Sequence, residues 1–270
     1  MKNFADKKIL ITGGASGIGK LMAHKFAERG AIVIVVDINI EAAREVVQEI
    51  KSSGGKAYAI HANLGDTETL KKCKSEVSSL GLSIDILINN AGVVFGGEFE
   101  KLPLDKHLLT FRINVDGMIA MTHLFFKDLR LSQEASIVNI ASASGLIGLP
   151  YGTSYSSSKW AVIGFSESLR LELIERKITN IHVTTVCPSY ISTGMFEGVK
   201  APMLLPWLKP EVIVAKIIQG IVHKSAFIKE PFIVKWVDLL KGILPLRIFC
   251  LMNKVIGVST SMTHWKGRAE

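Results

Sequence analysis

The chain has 270 residues, 48% of them hydrophobic and 21% charged, which suits one globular domain and excludes a largely disordered chain. Three widely spaced cysteines, Cys73, Cys187 and Cys250, exclude a disulfide framework or a paired-cysteine zinc site and suit a reducing, cytoplasmic setting. The net charge of +8 is uneven, because residues 199–270 hold eleven Lys/Arg against four Asp/Glu; a basic charge confined to an apolar tail points to an anionic membrane surface rather than to nucleic acid.

The opening residues MKNFADKK carry no apolar stretch of the kind a signal peptide needs. No uncharged apolar run reaches the roughly 18 residues of a membrane span. Lys8–Thr12 reads as a buried strand, followed by a glycine-rich turn and a helix from about Gly17 to Arg29, closed by Gly30. Ala31–Val36 is a second apolar strand ending in Asp37, Glu41–Lys51 a helix, Gly54-Gly55 a turn and Lys56–Ile60 a third strand. Thr67–Leu80 is helical, with Thr67 as its cap, and Ile84–Ile88 is a fourth strand that runs into Asn89-Asn90-Ala91-Gly92. A long helix covers about Asp105–Leu129, Ser136–Ile140 is a fifth strand, Tyr155–Arg176 a helix and Ile181–Val186 a sixth strand ending at Pro188. Strands apolar throughout, alternating with helices, predict an α/β chain: a single-domain, doubly wound parallel sheet with helices on both faces. No internal repeat divides residues 1–270. Residues 194–225 read as a substrate loop and lid, and 231–262 as a basic apolar tail.

The turn Thr12-Gly13-Gly14-Ala15-Ser16-Gly17-Ile18-Gly19 lies between a strand and a helix, with an acid ending the next strand. Glycines there let the backbone approach a pyrophosphate, and the helix N-terminus favours its charge. Asp37 can accept hydrogen bonds from ribose hydroxyls and would repel a 2′-phosphate, which favours NAD over NADP; the other reading of Asp37 is a cap for the next helix. Tyr155 and Lys159 are four apart and share a helical face. Lysine favours the phenolate, so the tyrosine can take a proton from an alcohol or give one to a carbonyl. Ser142 lies just past the fifth strand, at the carboxyl edge where open α/β sheets bind ligands, and is placed to hold the reacting oxygen; Ser144 is its rival. Asn114 is a costly residue for the middle of a helix, which a water-binding role would explain.

These motifs resemble the short-chain dehydrogenase/reductase family over about residues 5–195. The match rests on Thr12–Gly19, Asn89–Gly92, Asn114, Ser142, Tyr155-Ser-Ser-Ser-Lys159, and Pro188 with Thr193. The resemblance implies a catalytic tetrad of Asn114, Ser142, Tyr155 and Lys159. In it Lys159 lowers the Tyr155 pKa and holds the nicotinamide ribose, and Asn114 acts through water. It implies a cofactor site of Gly13, Ser16, Gly17, Ile18, Gly19, Asp37, Asn63, Leu64, Asn90, Ala91 and Gly92, with Tyr155, Lys159, Pro188, Ile191 and Thr193 toward the nicotinamide. Two positions depart from the family pattern. Asn63-Leu64 replaces the usual Asp-Leu or Asp-Val, and its amide oxygen can still accept from adenine. Pro188-Ser189-Tyr190 replaces the usual Pro-Gly, a bulkier turn that places Tyr190 toward the substrate.

The run Cys187–Gly198 is similar to the branch of retinol, long-chain alcohol and 17-beta-hydroxysteroid dehydrogenases, without the N-terminal anchor usual among its animal members. The resemblance implies an NAD-dependent alcohol dehydrogenase for a lipophilic primary or secondary alcohol. The substrate candidates are Ser144, Tyr190, Met195 and Phe196, with Met203, Leu204, Leu205 and Trp207 as further apolar lining or a self-packed lid. The alternatives are an NADPH-linked oxoacyl- or sugar-type ketoreductase and a non-catalytic dinucleotide-binding sensor or scaffold. The seven histidines lack metal spacing, so no metal is expected, and Cys187 reads as a buried apolar residue. In the tail, Lys235, Asp238 and Lys241 form one helical stripe and Phe232, Trp236, Leu239 and Ile243 another. That pattern suits a helix lying peripherally in lipid with its lysines at the headgroups, or a lid or subunit contact at the site mouth. Pairing of the helices near 105–129 and 155–176, as in most relatives, implies a homodimer or homotetramer.

Overall fold

The computed structural model describes residues 3–203 and 205–267. Seven parallel strands form one sheet in the order β3-β2-β1-β4-β5-β6-β7: β1 (Lys8–Thr12), β2 (Ile32–Asp37), β3 (Lys56–His61), β4 (Ile86–Asn89), β5 (Ala135–Ile140), β6 (Ile181–Pro188) and β7 (Phe227–Glu230). The order reverses between β1 and β4, which opens a crevice at the carboxyl ends of the strands.

The apolar runs are buried on both faces. Along β1, Ile9 and Ile11 pack to one side with Met22, Phe26, Ile50 and Ile217, while Leu10 packs to the other with Phe125, Leu129 and Leu173. This is the two-residue alternation of a strand with helices above and below it. The first layer holds α1 (Gly17–Ala27), α2 (Ile40–Ser52) and the later helix at Pro210–Val222; the second holds α3 (Thr67–Ser79) and the helices around β5. Asn39 caps α2, accepting from the Ala42 N–H at 3.0 Å, so Asp37 is not that cap. Asp66, rather than Thr67, caps α3 by accepting from the Glu68 N–H.

The expected long helix over 105–129 is three pieces: α4 (Leu104–Phe111), a π-helical turn at Arg112–Asp116 and α5 (Gly117–Leu131). The wider turn contains Asn114; π-turns inserted in α-helices recur at functional sites. α6 (Thr153–Glu175) carries Tyr155 and Lys159 on its first two turns.

Within residues 194–225, read as a loop and lid, the segment before Lys209 is irregular. The second half of the region is α7 (Pro210–Val222), whose Ile213, Ile217 and Ile221 are buried in the sheet core. The tail is likewise not one helix. It runs as a 3-10 turn (Phe232–Trp236), α8 (Val237–Ile243), α9 (Leu246–Val255) and a second 3-10 turn (Val258–Thr260), broken at Pro245, where a helix interior would lose a hydrogen bond. No helix among the described residues is long and apolar enough to cross a membrane.

Candidate active site

The carboxyl ends of the strands border a cavity of about 320 Å³. Its floor is the glycine turn after β1, locked to the segment after β4. The Asn90 side-chain amide donates to the Thr12 and Gly13 carbonyls at 2.9 and 3.0 Å. The Thr12 hydroxyl accepts from the Asn90 and Ala91 N–H groups at 3.0 and 3.1 Å. Gly13 has φ +63°, and a Cβ there would stand 2.9 Å from the Ala91 Cα; a Cβ on Gly19 would stand 2.0 Å from the Gly13 carbonyl oxygen. Only glycine fits either position.

Asp37 stands at the far end of this floor. One carboxylate oxygen accepts from the Ala15 N–H at 3.0 Å and the other from the Asn39 N–H at 3.1 Å, so the acid fixes the glycine turn while still lining the cavity. Asn63 lines it beside Leu64, with its amide oxygen accepting from the Gly65 N–H at 2.9 Å. The cradle of glycines, the helix N-terminus beyond it and the acid at the tip of β2 fit a nicotinamide dinucleotide.

The other end of the cavity holds Ser142, Tyr155 and Lys159 together. Ser142 starts the 3-10 turn Ala143–Gly145 and accepts from the Ser144 N–H at 3.2 Å and the Ser144 hydroxyl at 3.0 Å. Its hydroxyl lies 3.5 Å from the Pro188 carbonyl and beside Tyr155. Lys159 is 4% exposed, its ammonium donating to the Ile140 carbonyl at 2.8 Å and lying 5.7 Å from the Tyr155 ring centre. Burial pushes the Tyr155 hydroxyl above its ordinary value; the Ser142 bond opposes this and the neighbouring Tyr190 adds to it. Lys159, expected to lower that pKa, is not among the groups that lower it in this structure. Burial brings Lys159 itself down to about 8. The Cys187 thiol is pushed up to about 12 by burial, too high for a thiolate nucleophile at neutral pH.

A measurable consequence attaches to Lys159. Its unfolded value of 10.5 exceeds its folded value of about 8, so the unfolded chain binds more protons between those pH values. Stability therefore rises with pH across that window, and the full penalty is present below about pH 8. The difference corresponds to about 3 kcal/mol, less about 1 kcal/mol for the Ile140 carbonyl left unpaired. Lys159→Met is expected to stabilise the unliganded protein by about 2 kcal/mol at pH 7 and to flatten the rise above pH 8. Denaturant melts at several pH values check it; an unchanged pH profile would refute it.

Asn114 and Gly19 are the two expected site residues that do not line the cavity. Gly19 permits the close turn. The Asn114 amide oxygen accepts from the Val93 N–H at 2.8 Å, and its two amide hydrogens go to the Val93 carbonyl and the Ser158 hydroxyl at 2.9 and 3.0 Å. These bonds tie Val93, next to the Asn89–Gly92 segment, to α6.

The substrate candidates Ser144, Tyr190, Met195 and Phe196 all line the cavity. Phe196 stacks edge-on to Tyr155 and Tyr190, with ring centres 5.8 and 5.2 Å apart. Leu205 lines the wall, whereas Met203 and Trp207 are exposed and Leu204 lies outside the described residues. The tail contributes residues that the sequence did not single out. Val258 lines the cavity, and Ser261 bonds the Tyr190 hydroxyl at 2.8 Å. Met262 is buried with Phe196, and the Trp265 ring N–H donates to the Met195 carbonyl at 3.2 Å. Thr12 was quoted in the glycine motif without a site role. A buried chain behind the site was also unforeseen: the Asn89 amide donates to Thr122 and Asn139, and Asn139 donates to Ser166. Its sequence signals were Asn89 at the end of β4 and Asn139 within β5. Among the described residues no cluster of His, Cys, Asp and Glu could hold a metal ion.

Comparison with known proteins places these features. The family model described as short chain dehydrogenase matches residues 7–203. Epidermal retinol dehydrogenase 2 of Mus musculus is 36% identical over 95% of this chain and 84% of its own length. Estradiol 17-beta-dehydrogenase 11 of Homo sapiens is 30% identical over 95% of this chain and 85% of its own. Among solved structures, a short chain dehydrogenase/reductase from Burkholderia phymatum in complex with NAD superposes with a TM-score of 0.80 at 22% identity, covering 90% of this chain and 95% of that one.

Proposed function

From the premise that the chain belongs to the short-chain dehydrogenase family, and is thus an oxidoreductase of its retinol and steroid dehydrogenase branch, we propose that it moves a hydride between NAD(H) and a lipophilic primary or secondary alcohol or its carbonyl. The observation that carries this reading is the meeting of Ser142, Tyr155 and Lys159 in a cavity whose remaining wall is largely apolar, with Leu149, Met195, Phe196, Leu205 and Val258. The relatives named for retinol and estradiol act on substrates of matching character.

Bound in this cleft, the dinucleotide supplies the two-electron acceptor or donor for the carbinol carbon. The protein's own groups do the rest. Ser142 accepts from Ser144, so its own hydrogen can turn to the reacting oxygen and hold it. Tyr155 takes the alcohol proton in oxidation and returns it to the carbonyl oxygen in reduction. Lys159, with one ammonium hydrogen on Ile140, keeps two for the nicotinamide ribose. Ser144 positions Ser142 rather than replacing it. Pro188, Ile191 and Thr193 form the wall beside the nicotinamide position, and Asn114 acts by positioning Val93 and α6. Exposed Leu104, Leu108, Phe111 and Ile119 on α4 and α5, with Leu171 and Ile174 on α6, suit a homodimer or homotetramer, an assembly that sedimentation velocity reads directly.

The test is NADH formation from a graded series running from ethanol through decanol to retinol and a hydroxysteroid, with NADP in parallel. Turnover that rises with apolar length and prefers NAD is expected. Activity confined to small polar alcohols, or an NADPH preference, would favour the ketoreductase alternative.

A further inference from the structure

Three residues of the substrate wall are each held from behind by the end of the tail. The Tyr190 hydroxyl bonds the Ser261 hydroxyl at 2.8 Å, and the Met195 carbonyl accepts from the Trp265 ring N–H at 3.2 Å. Phe196 shares a buried apolar cluster with Met262. The backbones join as well. The Lys200 and Met203 N–H groups donate to the Ser261 and Ile256 carbonyls at 3.1 and 3.0 Å, and the Lys266 N–H donates to the Glu197 carbonyl at 2.9 Å. As the loop advances from 197 to 203 the tail recedes from 266 to 256, so the two run antiparallel. They lie in close contact: a Cβ on Gly198 would stand 2.1 Å from the His264 carbonyl oxygen. Trp265 also reaches the opposite side of the cavity. A Cβ on Gly96, beyond the end of β4, would stand 2.9 to 3.0 Å from three atoms of its ring. The tail thus bridges the segment after β4 and the loop after β6, and both of these line the cavity.

We propose that Ser261 and Trp265 are positioning residues that set the alcohol specificity. Neither lines the cavity; by holding Tyr190 and Met195 they keep its far wall closed and apolar, and so favour a long apolar alcohol over a short one. The choice of alcohol rests on the function proposed above, whereas the holding of the loop does not. The direction of the bonds makes Ser261 decisive. Ser261 donates its one hydrogen to the Val258 carbonyl at 2.8 Å, so in its bond with Tyr190 the phenol is the donor. The hydrogen of a buried cavity-lining phenol is therefore spent on the tail. Without Ser261 that donor is left unpaired, a loss it can make good only by admitting water or turning into the cavity. Removal of the phenol oxygen instead leaves nothing unpaired, because Ser261 still has Val258. The two changes therefore act in opposite directions on a wall whose other members include Leu149, Met195, Phe196 and Val258.

Steady-state kinetics with ethanol and decanol read the preference as a ratio of kcat/KM values. Ser261→Ala is expected to lower the decanol-to-ethanol ratio by about tenfold, chiefly through KM for decanol. Tyr190→Phe should hold or raise the ratio, and Ser261→Ala added to it should change little, since the pair acts as one unit. A serine that served the fold alone would lower the melting temperature and the turnover of both alcohols without moving the ratio. Gly96→Ala tests Trp265 without altering the wall. It puts a methyl group where the ring lies and should lower the same ratio, yet have no further effect once Trp265→Ala is present. Hydrogen exchange supplies a readout free of any substrate. In Trp265→Ala and in Gly96→Ala the Lys200 and Met203 amides should exchange about tenfold faster or more, while those of β1 and β4 stay as slow as in the parent. A ratio unmoved by Ser261→Ala overturns the proposal, as does an equal fall in Ser261→Ala and Tyr190→Phe, or exchange at Lys200 and Met203 that ignores Trp265. If no alcohol is oxidised in any form, the functional reading fails while exchange still decides whether the tail holds the loop.

Discussion

Tyr155→Phe is expected to lower turnover by about 10²–10⁴-fold while leaving the fold and dinucleotide affinity intact. The substitution removes one oxygen. The ring remains packed against Phe196 and the helix that carries Lys159 is unaltered, so the loss reports proton transfer rather than architecture. The electrostatics sharpen the expectation. Burial raises the Tyr155 hydroxyl above its ordinary value, so it is held protonated and well suited to donate to a carbonyl oxygen. In the oxidative direction it must receive the alcohol proton as a phenolate, a form that burial opposes and the Ser142 hydroxyl favours. Lys159 has a value of about 8, so its charge fades as pH rises through that point. The variant should bind NADH, read by fluorescence titration, with little change. Unaltered turnover would remove Tyr155 from catalysis.

The legibility of the sequence varied with what decides each feature. Strands β1, β2 and β4 could be read because a strand buried on both faces is apolar almost throughout, as in Ile9–Ile11 and Val33–Val36, and β3, β5 and β6 because β-rich runs alternate with helical stretches. β7 could not, since Phe-Ile-Lys-Glu at the sheet edge is short and half-polar, and only its pairing with β6 makes it a strand. The catalytic and glycine motifs were legible because their chemistry needs particular residue types at fixed spacings. The π-turn was not, although Asn114 marked its place; a bulge leaves hydrophobic periodicity almost untouched. The two stripes of the tail were visible in the residues, but the side that packs inward is a third one, Val234, Val237, Leu240 and Leu244. The contributions of Val258, Ser261 and Met262 to the site were hidden because they depend on the tail folding back more than 60 residues after Tyr190.

Asp37→Asn is expected to raise the ratio of kcat/KM for NADP to that for NAD by about 10²-fold. A 2′-phosphate on the ribose would bring a negative charge to within about 4 Å of this carboxylate, a repulsion of about 4 kcal/mol at an effective dielectric near 20, or up to about 10³-fold. Asp37 is only half-buried, so counterions and water screen part of that, and about 10² remains. The amide was chosen because the carboxylate has a second task. Its two oxygens hold the Ala15 and Asn39 N–H groups; alanine would release both and loosen the glycine turn, confounding charge with geometry. Asparagine keeps the size and one acceptor. Some loss of NAD affinity should accompany the gain, since the amide accepts fewer hydrogen bonds from the ribose hydroxyls. Steady-state kinetics with both cofactors separates the two effects: relief of repulsion improves NADP itself, whereas loss of ribose contacts worsens NAD alone. A ratio that moved only through NAD would place the selectivity elsewhere on the cavity wall, and the turn from Gly13 to Gly17, which bears no cation that could receive a phosphate, would then become the element that excludes it.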